Sequence, residues 1–167
     1  MKRIRWAAGV FLVASTALLA GCGVQPAGVS DAGQAPTGLG PGVTLYFVDA
    51  HERLWPQLRE TGRLGTIPEA MSLLLNGPGA DDPGVHTEIA SAGTTQVGVT
   101  TAFDVLQLRV PVTADDVTPL GIDQFVCTAL GLSTQSGAKT VKAQVLFTQP
   151  TPESDQVRTC PLFSPAG

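Results

Sequence analysis

Two histidines, three cysteines and a scatter of carboxylates are the side chains in this sequence best suited to chemistry. His51 and Glu52 follow closely on Asp49, a grouping that could work as general acid and base if a pocket held a substrate beside it. His86 stands apart from them. Neither histidine lies in a familiar catalytic frame: no H-E-x-x-H, G-x-S-x-G or S-x-x-K pattern and no glycine-rich phosphate loop occurs. A hydrolase would therefore have to assemble His51 or His86 with distant carboxylates, and a solvated turn is the plainer reading of this segment. Asp81 and Asp82 could touch Ca²⁺, but no further oxygen ligands follow at a suitable spacing, so these too read as a turn. Neither Cys127 nor Cys160 has a second Cys or His at ligand distance along the chain. No catalytic residue, metal site or cofactor is expected.

The third cysteine has a different meaning. Residues 1–21 combine a basic start (Lys2, Arg3, Arg5), an apolar run from Trp6 to about Leu19, and small residues before a cut site, the three parts of a secretory signal. The apolar run is shorter than the ~20 residues a membrane-spanning helix needs. Its end, Leu19-Ala20-Gly21-Cys22, looks like the bacterial lipobox, in which the Cys22 thiol takes a diacylglycerol and becomes the new N-terminus. Acyl chains gain about 0.8 kcal/mol per buried CH₂, so two or three of them anchor a protein without a transmembrane helix. The sequence thus predicts attachment to the extracytoplasmic face of the cell membrane. With Cys22 lipidated, Cys127 and Cys160 are an even pair in an oxidising compartment, which favours a disulfide over two independent thiols. Closing a loop of about 34 residues stabilises by roughly 3 to 4 kcal/mol in the chain-entropy model.

Charge narrows the field further. The 167 residues carry 10 basic and 14 acidic side chains, a net charge of −4. Three of the basic ones are in the leader, so the exported chain would stand at −7. Such a chain has no basic patch able to release counterions from a polyphosphate, which argues against nucleic acid as a partner.

The elements that would position these residues can be read from pattern. Residues 22–42, with six Gly and three Pro after Cys22, read as a disordered tether spanning roughly 25 Å. Val43, Leu45 and Phe47 alternate with Thr44 and Tyr46, as a strand requires. A weaker strand through residues 53–59 contains Pro56, which confines it to an edge. Thr66 and Glu69 form a capping box, Pro68 sits in the first turn and Gly77-Pro78 ends a helix whose stripe is Ile67, Ala70, Met71 and Leu74. Residues 96–101 and 105–112 form a hairpin with one wet face. Thr118-Pro119 opens a second helix, expected to run to Leu130 before Gly131, with Ile122, Phe125, Val126, Ala129 and Leu130 on its apolar side. A last strand, 140–147, turns Val141, Ala143, Val145 and Phe147 inward. The economical arrangement is an α+β two-layer sandwich: one mainly antiparallel sheet of four or five strands packed by two helices. Residues 148–167 form a tail with little beyond Cys160 to order it. Tyr46, Arg109, Lys142 and Gln144 are expected on the outward face of the sheet, the surface proposed for partner binding.

In their order these residues resemble the GerMN domain, a bacterial family named for sporulation and germination. Leu45-Tyr46-Phe47-Val48-Asp49, then Ile67-Pro68-Glu69-Ala70 leading to Leu74-Leu75-Asn76-Gly77-Pro78, resembles its "YFVD … PEEAL … LLxGP" pattern. Thr87-Glu88-Ile89-Ala90 departs from the family's "SxLP" element. Gln124-Phe125-Val126-Cys127-Thr128-Ala129 resembles the "Q-x-x-C-T-A" helix of actinobacterial lipoproteins. The resemblance covers residues 43–147 and implies a non-catalytic binding or assembly module of the bacterial envelope, with an envelope protein or polymer as partner. An envelope hydrolase and a small-molecule-binding lipoprotein are the competing readings. Gln124 and Thr128 could equally be structural, fixing their helix against neighbouring backbone.

Overall fold

A computed structural model of the protein describes residues 42–80, 82 and 84–163. The leader, Cys22 and all but the last residue of the expected tether lie outside that range. The chain is α+β, with two helices packed against sheets of three and four strands.

The first strand, β1 (Gly42–Asp49), is the centre of the smaller sheet, between β2 (Leu54–Glu60) and the short β3 (Val85–His86), and is antiparallel to both. Pro56 lies in β2 opposite Tyr46, and β2 is indeed an edge. Both backbone polar groups of Tyr46 point away from β2, to α2 (Pro119–Gln135): its N–H donates to Thr128 Oγ1 at 3.1 Å and its carbonyl accepts from Gln124 Nε2 at 2.9 Å. Tyr46 and Pro56 therefore form a non-hydrogen-bonded pair, where the missing proline N–H leaves no gap in the ladder.

Helix α1 (Ile67–Leu75) begins at the capping box read from the sequence, with Thr66 N donating to Glu69 Oε2 at 2.7 Å and Glu69 N to Thr66 Oγ1 at 3.4 Å. It buries Ala70, Met71 and Leu74 and ends before Gly77, whose φ of +80° suits the glycine. Strands β4 (Gly98–Ala102) and β5 (Val105–Arg109) form the expected hairpin, and β6 (Lys142–Leu146) and β7 (Val157–Arg158) complete a sheet of order β4-β5-β6-β7. Here β5 and β6 are parallel, because a helix lies between them in the chain and carries it back to the starting end. Across the outer face runs a polar ladder: Thr100 Oγ1 to Gln107 Oε1 at 3.4 Å, Gln107 Nε2 to Gln144 Oε1 at 3.1 Å, and Gln144 Nε2 to the Ser154 carbonyl at 2.8 Å.

The strands thus divide between two sheets instead of forming one, and both helices touch both sheets, α2 the more extensively. It is also longer than its pattern suggests. It continues through Gly131 to Gln135, and 12 of its 17 residues are buried. A helix buried on nearly every side belongs to the centre of a fold, not to its surface. Its largest buried side chain, Phe125, joins Leu45, Phe47, Met71, Leu74, Leu108 and Leu130 in a single core. Among the described residues no helix is long and apolar enough to cross a membrane.

Candidate functional site

The expected bridge is present: Cys127 and Cys160 are joined, with 33 residues of sequence separation and both side chains buried. A bond of this kind suits an oxidising, extracytoplasmic compartment. It fixes residues 159–163 beside the C-terminal half of α2, and β7 supplies a second attachment that the tail's composition did not suggest.

Between this segment and the helix lies a groove of about 710 Å³. Its walls are Tyr46 from β1, Leu130, Gly131, Thr134 and Gln135 from α2, Thr140 and Val141 ahead of β6, and Thr159, Cys160 and Phe163 beyond β7. Gly131, expected as a helix stop, is an interior residue where the helix must come close to two rings. A Cβ there would sit 3.4 Å from both Phe163 Cζ and Tyr46 Cε2. Those rings meet edge to face, with centroids 5.8 Å apart at 76°. Burial raises the Tyr46 phenol above its ordinary pKa, so it is a neutral hydroxyl at physiological pH. Leu132 is buried beyond Gly131, the one signal in the sequence that could have carried the helix past the glycine.

Of the four residues expected on an outward face, Arg109 and Lys142 are exposed and Gln144 is half-buried within the polar ladder. Tyr46 does not project outward. It keeps only 7% of its surface, because β1 is a central strand covered on both faces and α2 packs over this side of it. Tyr46 and Lys142 belong to different sheets.

The histidines lie elsewhere. His51 is exposed in the β1–β2 turn, where its backbone N–H donates to Asp49 Oδ1 at 2.8 Å. Burial alone would raise the Asp49 carboxyl, but hydrogen bonds from Arg53 and from the His51 and Arg53 amides outweigh it and hold the group below the usual range. Asp49 is thus the clasp of a turn. Pairing of β1 with β3 brings His86 alongside this turn, so that ligand atoms of Glu52, His86 and Glu88 come within 4.8 Å of one another. His86 Nε2 lies 2.9 Å from Glu88 Oε1. The sequence reading did not join Glu52 to His86, because the juxtaposition depends on strand pairing. Neither the groove nor a smaller cavity of about 300 Å³ beside α1 includes His51 or His86 among its lining residues.

Comparison with family models, with curated proteins and with solved structures finds no match to this chain.

Proposed function

We propose that the protein is a lipid-anchored, extracytoplasmic binding module of the bacterial envelope, GerMN-like in its motif order, whose ligand seats an apolar portion in the groove beside the disulfide. The observation that carries this reading is the groove itself. It is largely apolar, held open by a covalent bond and an aromatic pair, and within the roughly 300 to 1,000 Å³ typical of small-molecule sites. This favours the small-molecule-binding form of the module over a hydrolase, since the histidines a hydrolase would use line neither cavity. The lipobox motif at Cys22 supports the address. Gln124 and Thr128 support the assembly of the groove without entering it, because they hold α2 against β1.

Site-specific photocrosslinking tests the proposal. A benzophenone side chain in place of Thr134, an exposed groove residue, should capture an envelope component in intact cells. Gly131→Leu should fill the groove and abolish that adduct. Failure to capture anything, or adducts indifferent to Gly131→Leu, would remove the groove from the function.

A further inference from the structure

Strand register gathers several unrelated stretches of sequence at one end of the four-stranded sheet. Ala102 pairs with Val105 across the β4–β5 turn, Val105 with Lys142 at the start of β6, and Ala143 with Arg158 in β7. The hairpin tip, the residues ahead of β6 and those beyond β7 therefore share one rim. Four of the seven large apolar side chains exposed among the described residues sit on it: Phe103, Val141, Leu162 and Phe163.

Phe103 is the least expected of them. It occupies a two-residue hairpin turn with φ of +50°, followed by Asp104 at +61°, a conformation that favours Asn-Gly and is an outlier for a bulky side chain. Nor does packing within the protein account for it, since its side chain is fully exposed. A large aromatic group at a position that local conformation disfavours and no intramolecular contact rewards is suited to contact outside the molecule.

Charge indicates the kind of surface it meets. The described residues carry twelve acidic and seven basic side chains, and Arg53, Arg59, Arg63 and Arg158 are committed to ion pairs. The two lysines among the described residues, Lys139 and Lys142, flank Val141, are both exposed, and form none of the ion pairs found there. Asp104 is the acid beside them on the hairpin tip, and Asp123 is taken by Arg158 at 3.8 Å. The rim is thus net positive on an acidic protein.

We propose that this rim is a docking site for an anionic lipid bilayer, with Phe103, Val141, Leu162 and Phe163 entering the interface and Lys139 and Lys142 meeting anionic headgroups. Apolar wedges beside lysines are the combination that interfacial binding uses. The groove opens on the same rim through Val141 and Phe163, so docking would turn its mouth toward the lipid. The inference rests on the rim alone and requires no ligand in the groove.

The test must read insertion and not mere recruitment. The exported chain, beginning at Cys22 and carrying Phe103→Trp, is mixed with vesicles of phosphatidylcholine and phosphatidylglycerol in equal parts, containing lipid brominated in its acyl chains. Emission is compared with that of the unsubstituted exported chain, in which Trp55 supplies the background. The added Trp should shift to the blue and be quenched by the bromines. Quenching should fall by at least half with phosphatidylcholine alone or with Lys139→Gln/Lys142→Gln. Val141→Trp serves as an independent reporter of the same rim. Absence of extra quenching from both reporters, whether or not the chain binds the vesicles, would overturn the proposal. Photocrosslinking from Thr134 reads the groove separately, so the two ideas fail by different observations.

Discussion

Replacing Gln124 by Leu probes the join between α2 and the three-stranded sheet. Gln124 is fully buried, and its amide has two good partners: Nε2 donates to the Tyr46 carbonyl at 2.9 Å and Oε1 accepts from the Glu88 amide at 2.8 Å. Leucine fills nearly the same space but strands both backbone groups inside the protein. Each unsatisfied buried group costs about 1 to 3 kcal/mol, and the added apolar contact offsets a part of it. A net loss of roughly 3 to 4 kcal/mol is expected, a large share of the ~5 to 15 kcal/mol that holds a typical domain together. With a urea dependence of about 1.5 kcal/mol per molar, the unfolding midpoint should fall by roughly 2 M, followed by far-ultraviolet circular dichroism. Thr128→Val, which orphans the Tyr46 N–H, should cost about 1 to 3 kcal/mol. Because both side chains serve one residue of β1, the double variant should depart from additivity. A midpoint shift below about 0.3 M for Gln124→Leu would refute the claim that this amide satisfies the buried Tyr46 carbonyl and Glu88 N–H.

Four further outcomes are expected, three from the structure and the last from the lipobox motif in the sequence. Cys127→Ala/Cys160→Ala should lower stability by about 4 kcal/mol and the melting temperature by roughly 12 to 15 °C, and should abolish capture from Thr134. A melting temperature unchanged within error would show that β7 alone holds the segment. Gly121→Ala should destabilise by about 1 to 3 kcal/mol, since the new Cβ would lie 2.4 Å from the Glu88 carbonyl oxygen and 2.6 Å from Val117 Cγ1; chemical denaturation at unchanged slope would measure it. The Glu69 carboxyl, hydrogen-bonded first by Arg63 and then by Thr66, is held down to about 2 from 4.5. Its folded pKa is depressed, so its contribution is complete above 4.5 and is lost as pH falls toward 2. Acid titration of Glu69→Gln should therefore lack that share of the decline, and identical acid profiles would contradict the assignment. Cys22→Ala should release the protein from membranes in cell fractionation, and continued sedimentation with them would refute lipid anchoring.

The legible parts of the fold were those written in short stretches of chain. Thr66 and Glu69 specify a helix start within four residues, the alternation around Leu45 and Leu106 specifies strands, and Pro56 marks an edge, because capping, periodicity and proline geometry are local physics. The Cys127–Cys160 pairing was legible for a different reason: with Cys22 assigned to the lipobox, only one pair was left to form. Gly131 misled because glycine has two uses. It ends helices, and it also admits close neighbours, and only the positions of Tyr46 and Phe163 show which applies here.

Local pattern was enough for the α+β class, the starts of both helices, the strands other than β3 and β7, and the pairing of Cys127 with Cys160. The tertiary structure decided the rest: that β5 and β6 run parallel, that the Tyr46 backbone of β1 is satisfied by Gln124 and Thr128, that Tyr46 is an interior wall, and that Glu52 meets His86. It also decided that a groove and an apolar, lysine-flanked rim share one end of a sheet. Each of these depends on contacts between residues tens of positions apart, and no periodicity or spacing records which distant backbone a side chain will meet once the loops between them have closed.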